Sequence, residues 1–274
     1  MADAGAGIAN GSVPKLRAEG LCKTYPSAGG PGDVAALRDV EFEVGAGEFV
    51  SIVGPSGCGK STLFSIIAGL IRPSAGNVLL DGSEPKQLLG EIGYMLQRDL
   101  LMPWRTVLDN TTVGLELNGV SRRKARRRAL DEFERFGLTG FERHWPAKLS
   151  GGMRQRAALL RTFLAGRQVM LLDEPFGALD ALTRQRMQEW LLDIWQEDSK
   201  TIVFVTHDVE EAVFLSDRVH VMSGRPGRIV LSLEVDLPRP RNPQVTMTEK
   251  FLGLKQRLME PLEEAIGPPG KREA

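Results

Sequence analysis

The sequence predicts an α/β fold that carries a mostly helical insertion, and three observations support this. Phe49-Val50-Ser51-Ile52-Val53 is largely apolar and Val169-Met170-Leu171-Leu172 continuously so, as in strands buried on both faces of a parallel sheet. The first run leads directly into a glycine-rich stretch and then a helical pattern over 61–70, which ends near Gly69 and Pro73. Residues 98–164 instead show helical spacing and many arginines, after which strand-like runs return at 169–172, 201–206 and 218–222.

The other elements come in chain order. Leu16-Arg17-Ala18-Glu19 and Val40-Glu41-Phe42-Glu43-Val44 read as short strands, the second alternating so that one face is solvated. The tail after Leu237 begins Pro-Arg-Pro-Arg and then places Phe251, Leu254, Leu258 and Leu262 on one helical stripe. Pro261 is expected to kink or end that helix. The expected organisation is a leader over 1–13, one domain over 14–240 with its helical subdomain at about 98–164, and a tail over 241–274.

Bulk composition narrows the function classes. The 274 residues carry 35 basic and 35 acidic side chains, so no global field favours nucleic acid or an anionic surface. Cys22 and Cys58 lack metal-ligand spacing, and the second lies within the glycine stretch, as in a reducing compartment. No apolar run is long enough for a membrane helix, and residues 1–12 have neither the basic start nor the apolar stretch of a signal peptide. The expectation is a cytoplasmic protein that serves any membrane from its surface.

Gly54-Pro55-Ser56-Gly57-Cys58-Gly59-Lys60-Ser61-Thr62 lies between a buried strand and a helix, where a phosphate-binding loop belongs. Its glycines let backbone N–H groups converge on phosphate oxygens, and the helix N-terminus adds partial positive charge. Lys60 can reach the terminal phosphates of a nucleoside triphosphate, and the Ser61 hydroxyl can ligate Mg²⁺. Asp173 and Glu174 close the apolar run at 169–172, at the carboxyl end where α/β folds place ligands. Asp173 would hold the metal, and Glu174 would accept the proton of an attacking water.

Together with Leu149-Ser150-Gly151-Gly152-Met153-Arg154-Gln155-Arg156, these residues resemble the nucleotide-binding subunit of an ATP-binding cassette (ABC) transporter. The resemblance covers about residues 16–240. It implies a P-loop NTPase core with a mixed sheet, an antiparallel β subdomain and the inserted α-helical subdomain. It also implies an ATPase that uses ATP and Mg²⁺. Two copies would pack head to tail, with each ATP held between the Lys60 loop of one and Ser150, Gly151 and Gly152 of the other. His207, after Thr201-Ile202-Val203-Phe204-Val205-Thr206, matches the family's switch histidine, and Gln97 its metal- and water-contacting glutamine. Asp180, in Gly177-Ala178-Leu179-Asp180, matches a residue that crosses the dimer interface, and Tyr25 an aromatic that stacks on adenine. His144 and His220 have no such match and are assigned to structure.

Leu101-Met102-Pro103-Trp104-Arg105-Thr106-Val107 and Arg225-Pro226-Gly227-Arg228-Ile229 look like the nitrate, sulfonate and taurine branch of importers. A tail this short, with no room for a regulatory domain, is in keeping with that branch. The resemblance implies membrane permease subunits as partners, an extracytoplasmic solute-binding protein indirectly, and no nucleic acid. It places the chain at the cytoplasmic face of the membrane. Trp104 and Leu101 are expected to be exposed and to receive the permease, although Trp104 could instead pack within its own subdomain. Arg122-Arg123-Lys124-Ala125-Arg126-Arg127-Arg128 reads as a solvated helical face, with lipid or partner contact as the alternative. A soluble ATPase of DNA maintenance or translation, or another importer or exporter branch, remains the alternative function.

Overall fold

The computed structural model describes residues 13–26, 32–177 and 179–266. Residues 1–12 of the leader expected over 1–13, and Ala178, lie outside the described residues. Strands β1 (Leu16–Tyr25), β2 (Val34–Val44) and β4 (Ala75–Leu80) form an antiparallel three-stranded sheet in the order β2-β1-β4. The first strand runs well past the expected Leu16-Arg17-Ala18-Glu19. Gly20 reads as a strand end, but it sits where the register shifts between Ala18 and Leu21, and pairing resumes beyond this bulge.

A second, six-stranded sheet has the order β5-β6-β7-β3-β8-β9. It contains β3 (Phe49–Val53), β5 (Gly93–Met95), β6 (Val169–Asp173), β7 (Thr201–Thr206), β8 (Arg218–Met222) and β9 (Ile229–Glu234). All neighbours pair in parallel except β8 with β9, which makes the sheet mixed. Every residue of β3, β6 and β7 is buried, in keeping with their predominantly apolar character. Alternation along β3 divides its side chains between two cores: Phe49 and Val53 face the helical side, and Val50 and Ile52 face the antiparallel sheet.

Register decides where the chemistry gathers. Val53 pairs with Thr206, and Asp173 pairs with Val205, so three buried strands end in step. The glycine loop, Glu174 and His207, each just past the end of one of these strands, therefore meet at one edge of the sheet. Helix α1 (Lys60–Ile67) grows out of the loop and buries Leu63, Phe64, Ile66 and Ile67 between the two sheets.

The insertion comprises α2 (Val107–Thr111), α3 (Val113–Leu117), α4 (Arg122–Phe133) and α5 (Gly151–Leu164). Helix α4 buries Ala125, Ala129 and Phe133 and turns most of its basic face outward. Two members of the basic cluster are spoken for: Arg126 and Arg122 donate to the buried Asp109 at 2.8 and 3.1 Å. Burial pushes the Asp109 carboxyl up, but these two guanidiniums more than offset it and hold it below the usual carboxylate range.

The expected exposure of Leu101 is wrong. Leu101 is 7% exposed and belongs to the helical-side core, whereas Trp104 is 73% exposed and does not pack into its subdomain. The cause is the fully buried Asn110 amide, which accepts from Met102 N at 2.7 Å and donates to the carbonyls of Met102, Arg105 and Thr106. The loop folds around that amide, turning Leu101 in and leaving Trp104 out.

Helix α6 (Ala181–Asp198) and α7 (Val209–Leu215) come after β6 and β7, and α8 (Glu249–Ile266) closes the described chain. Phe251, Leu254, Leu258 and Leu262 are all buried, as their stripe predicts. Pro261 does not end the helix, which continues to Ile266 because buried Leu258 and Leu262 anchor it on both sides. Buried Arg241 fixes the entry to the tail by donating to the carbonyls of Val213, Phe214 and Ser216.

Candidate active site

The glycine loop connects β3 to α1. Gly59 caps the helix with φ of 110°, and a Cβ there would meet Leu37 Cδ2 at 2.7 Å and Ala36 O at 2.9 Å. Both the left-handed backbone and the close approach demand glycine at this position. Lys60 is buried and donates to Gly54 O at 2.7 Å and Pro55 O at 3.0 Å, which holds its ammonium under the loop.

An open cavity of about 430 Å³ lies above the loop. Ser56, Gly57, Gly59, Lys60, Ser61 and Thr62 line its floor, with Gln97, Glu174, His207 and Arg225 around it. Gly54, Pro55 and Cys58 are not part of the lining. The first two supply the carbonyls that hold Lys60, and Cys58 is buried with its N–H on Pro55 O at 3.3 Å.

Three sequence candidates converge on one oxygen. Glu174 Oε2 accepts from Gln97 Nε2 at 3.1 Å and lies 3.4 Å from His207 Nδ1. The Glu174 backbone adopts φ of 44°, uncommon for a side-chain-bearing residue, while its N–H donates to Val205 O at 2.9 Å. Tertiary structure thus holds the carboxylate just past the end of β6.

Asp173 sits behind Glu174. Burial pushes its carboxyl up, and the neighbouring Glu174 charge adds to that, against hydrogen bonds from Tyr94 and Ser61 and the Lys60 charge. Tyr94 OH donates to Asp173 Oδ2 at 3.3 Å. Burial and the Asp173 charge push the Tyr94 phenol well above its ordinary value. Sequence reasoning missed Tyr94 as a site residue. Its place comes from the pairing of β5 with β6, where Tyr94 faces Leu171 and Met95 faces Leu172.

These oxygens suit a small hard cation. A buried carboxyl raised by desolvation is stabilised as its anion when a cation approaches, and Ser61 lines the adjoining cavity. Among the described residues there is no group of three or more His, Cys, Asp or Glu side chains suited to a metal. A cation here would therefore depend on Ser61, Asp173, Gln97 and phosphate oxygens, the pattern Mg²⁺ favours over an all-protein cage.

The remaining candidates lie outside the cavity. Ser150 caps α5 by accepting from Met153 N at 3.3 Å, and Ser150 and Gly151 are exposed. Gly151 and Gly152 lie against Leu179 and Thr183 at the start of α6. Asp180 caps α6 by accepting from Thr183 N at 3.0 Å, and that bond holds its exposed carboxyl below the usual range. Tyr25, at the end of β1, is exposed beneath the Lys23 ammonium. His220 is buried in the sheet with Nδ1 2.7 Å from Ser232 Oγ, a structural histidine as expected.

A family model described as ABC transporter matches residues 37–177. The chain belongs to the ABC transporter family. It is an ATP-binding, ATP-hydrolysing subunit coupled to transport. It is 46% identical over 252 residues to the uncharacterized ABC transporter ATP-binding protein of Methanocaldococcus jannaschii, covering 92% of each chain. It is also 46% identical over 201 residues to the taurine import ATP-binding protein TauB of Yersinia pestis, covering 73% of this chain and 79% of that one. Among solved structures it is similar to a dimeric, post-hydrolysis ATP-binding cassette bound to ADP and Pi. That match has 32% identity and a TM-score of 0.70, covering 81% of this chain and all of the other. The cbiO1 protein of Clostridium perfringens, part of an ABC transporter complex, matches with 26% identity and a TM-score of 0.69. Coverage there is 90% of this chain and 96% of cbiO1.

Proposed function

We propose that this ABC ATPase powers an importer for a small solute of the nitrate, sulfonate or taurine type, working as a head-to-tail pair. The observation that carries the reading is the division of the site within one chain. Gln97, Glu174 and His207 line the open cavity above the Lys60 loop, while the exposed Ser150 cap lies outside that cavity. A second copy facing the first would supply Ser150, Gly151 and Gly152 to the open side, with Asp180 beside them at the contact.

In this reading Lys60 neutralises the terminal phosphates, and the N–H groups of 56–62 cradle them. Glu174 takes the proton of the lytic water, which Gln97 and His207 orient through the oxygen they share. Ser61, Gln97 and Asp173 would hold Mg²⁺, which supplies charge neutralisation along the phosphates. Tyr25 provides an aromatic face for the adenine.

The importer assignment draws on the 46% identity to a taurine import subunit and on the 101–107 segment. Exposed Trp104 offers the permease an apolar anchor. Among the described residues no helix is long and apolar enough to cross a membrane. As in an importer of that type, the chain would sit at the cytoplasmic face, held by its permease, with a solute-binding protein acting on the far side. Purification of the tagged chain from solubilised membranes tests this. A multi-span permease is expected to co-purify, and co-purification with nucleic acid or ribosomes instead would overturn the reading.

A further inference from the structure

Arg225 lines the phosphate cavity, yet the motifs that mark the nucleotide site do not include it. It lies in the hairpin between β8 and β9, in the segment Arg225-Pro226-Gly227-Arg228. That hairpin is pinned from three directions. Ser223 bridges it internally, with its N–H on Arg228 O at 2.9 Å and its hydroxyl on Pro226 O at 3.2 Å. Gly227 donates to Ala36 O and accepts from Arg38 N, both at 2.9 Å, which ties the turn to β2. On its other side Gly227 lies against the phosphate loop, where a Cβ would fall 2.1 Å from Cys58 O. No side chain fits there, so the turn and the loop backbone are locked together.

Arg239 and Arg241, farther along the chain, are committed to Asp217 and to backbone carbonyls. Arg225 forms no ion pair or side-chain hydrogen bond among the described residues, and it faces the same space as Gln97, Glu174 and His207. A guanidinium held on a rigid turn beside a phosphate loop is suited to fork-like recognition of phosphate oxygens. We propose that Arg225 is a second cationic contact for the bound nucleotide, acting in the same chain as Lys60 and directed at the terminal phosphate. The inference rests on the proposed nucleotide site and adds to it a residue that discriminates ATP from ADP.

The test is direct binding of ATP and ADP to the purified chain carrying Arg225→Ala, Arg225→Lys or, as a control on the same turn, Arg228→Ala. Arg225→Ala is expected to weaken ATP binding about tenfold to a hundredfold, the worth of a charged hydrogen bond, with a clearly smaller loss for ADP. Arg225→Lys should recover part of it, and Arg228→Ala should leave both affinities unchanged. Equal losses for the two nucleotides, or no loss, would overturn the assignment. Lys60→Ala, measured alongside, separates this from failure of the site itself. If Lys60→Ala abolishes binding and Arg225→Ala does not change it, only the role of Arg225 falls. If neither substitution matters, the nucleotide site has been misplaced.

Discussion

Replacing Glu174 by glutamine isolates the chemistry from the architecture. Glu174 Oε2 accepts the Gln97 amide at 3.1 Å and lies 3.4 Å from His207 Nδ1. Glutamine keeps the volume and one acceptor oxygen, so it can preserve those contacts. The backbone at φ of 44° is fixed by the bond to Val205 and is unchanged. Folding stability should therefore move by no more than about 0.5 kcal/mol. An amide cannot take a proton at neutral pH, however, and a positioned general base is worth about 10²- to 10⁴-fold. Phosphate release by the assembled transporter at saturating ATP should fall by that factor, equivalent to about 3 to 5.5 kcal/mol on the barrier. ATP affinity should be retained, because Lys60 and the loop are untouched. Turnover within about threefold of wild type would remove Glu174 from the role of base.

Two further outcomes are expected. Burial pushes the His220 imidazole down to about 3, so the unfolded chain takes up a proton first as pH falls below about 6.5, and folded-state stability is lost between those values. Denaturant titration should show wild type losing about 1.6 kcal/mol between pH 6.5 and 5 relative to His220→Gln, and parallel curves would refute the cause. Trp104→Ala should change stability by less than about 0.5 kcal/mol, since the ring is 73% exposed, yet reduce recovery of the permease with the tagged chain. Undiminished recovery would take Trp104 out of that contact.

The features legible in the sequence are those that one strand or one turn determines alone. β3, β6 and β7 are predominantly apolar because both faces are covered, and the residues just past them are the candidates that the cavity brings together. Leu101 and Trp104 show the limit. Both are apolar and three positions apart in a loop without period, and only the Asn110 amide, wrapped by that loop, decides which of them is buried. The places of Arg225 at the cavity and of Tyr94 beside Asp173 are not legible for a related reason. They depend on β8 lying beside β3 and β5 beside β6, a strand order that no local pattern encodes. Pro261 carries a strong local signal to stop, and the buried stripe on either side overrides it.

The division of each ATP site between two copies is tested most directly by mixing two crippled chains, Lys60→Ala and Ser150→Arg, and measuring nucleotide occluded in the assembled dimer. Each chain paired with itself has both sites broken. In a mixed pair with shared sites, one site collects both lesions and the other collects none. Occlusion absent from either variant alone and restored on mixing is the expected result. A mixture that occludes no more ATP than its parents would mean that Lys60 and Ser150 do not meet across two chains.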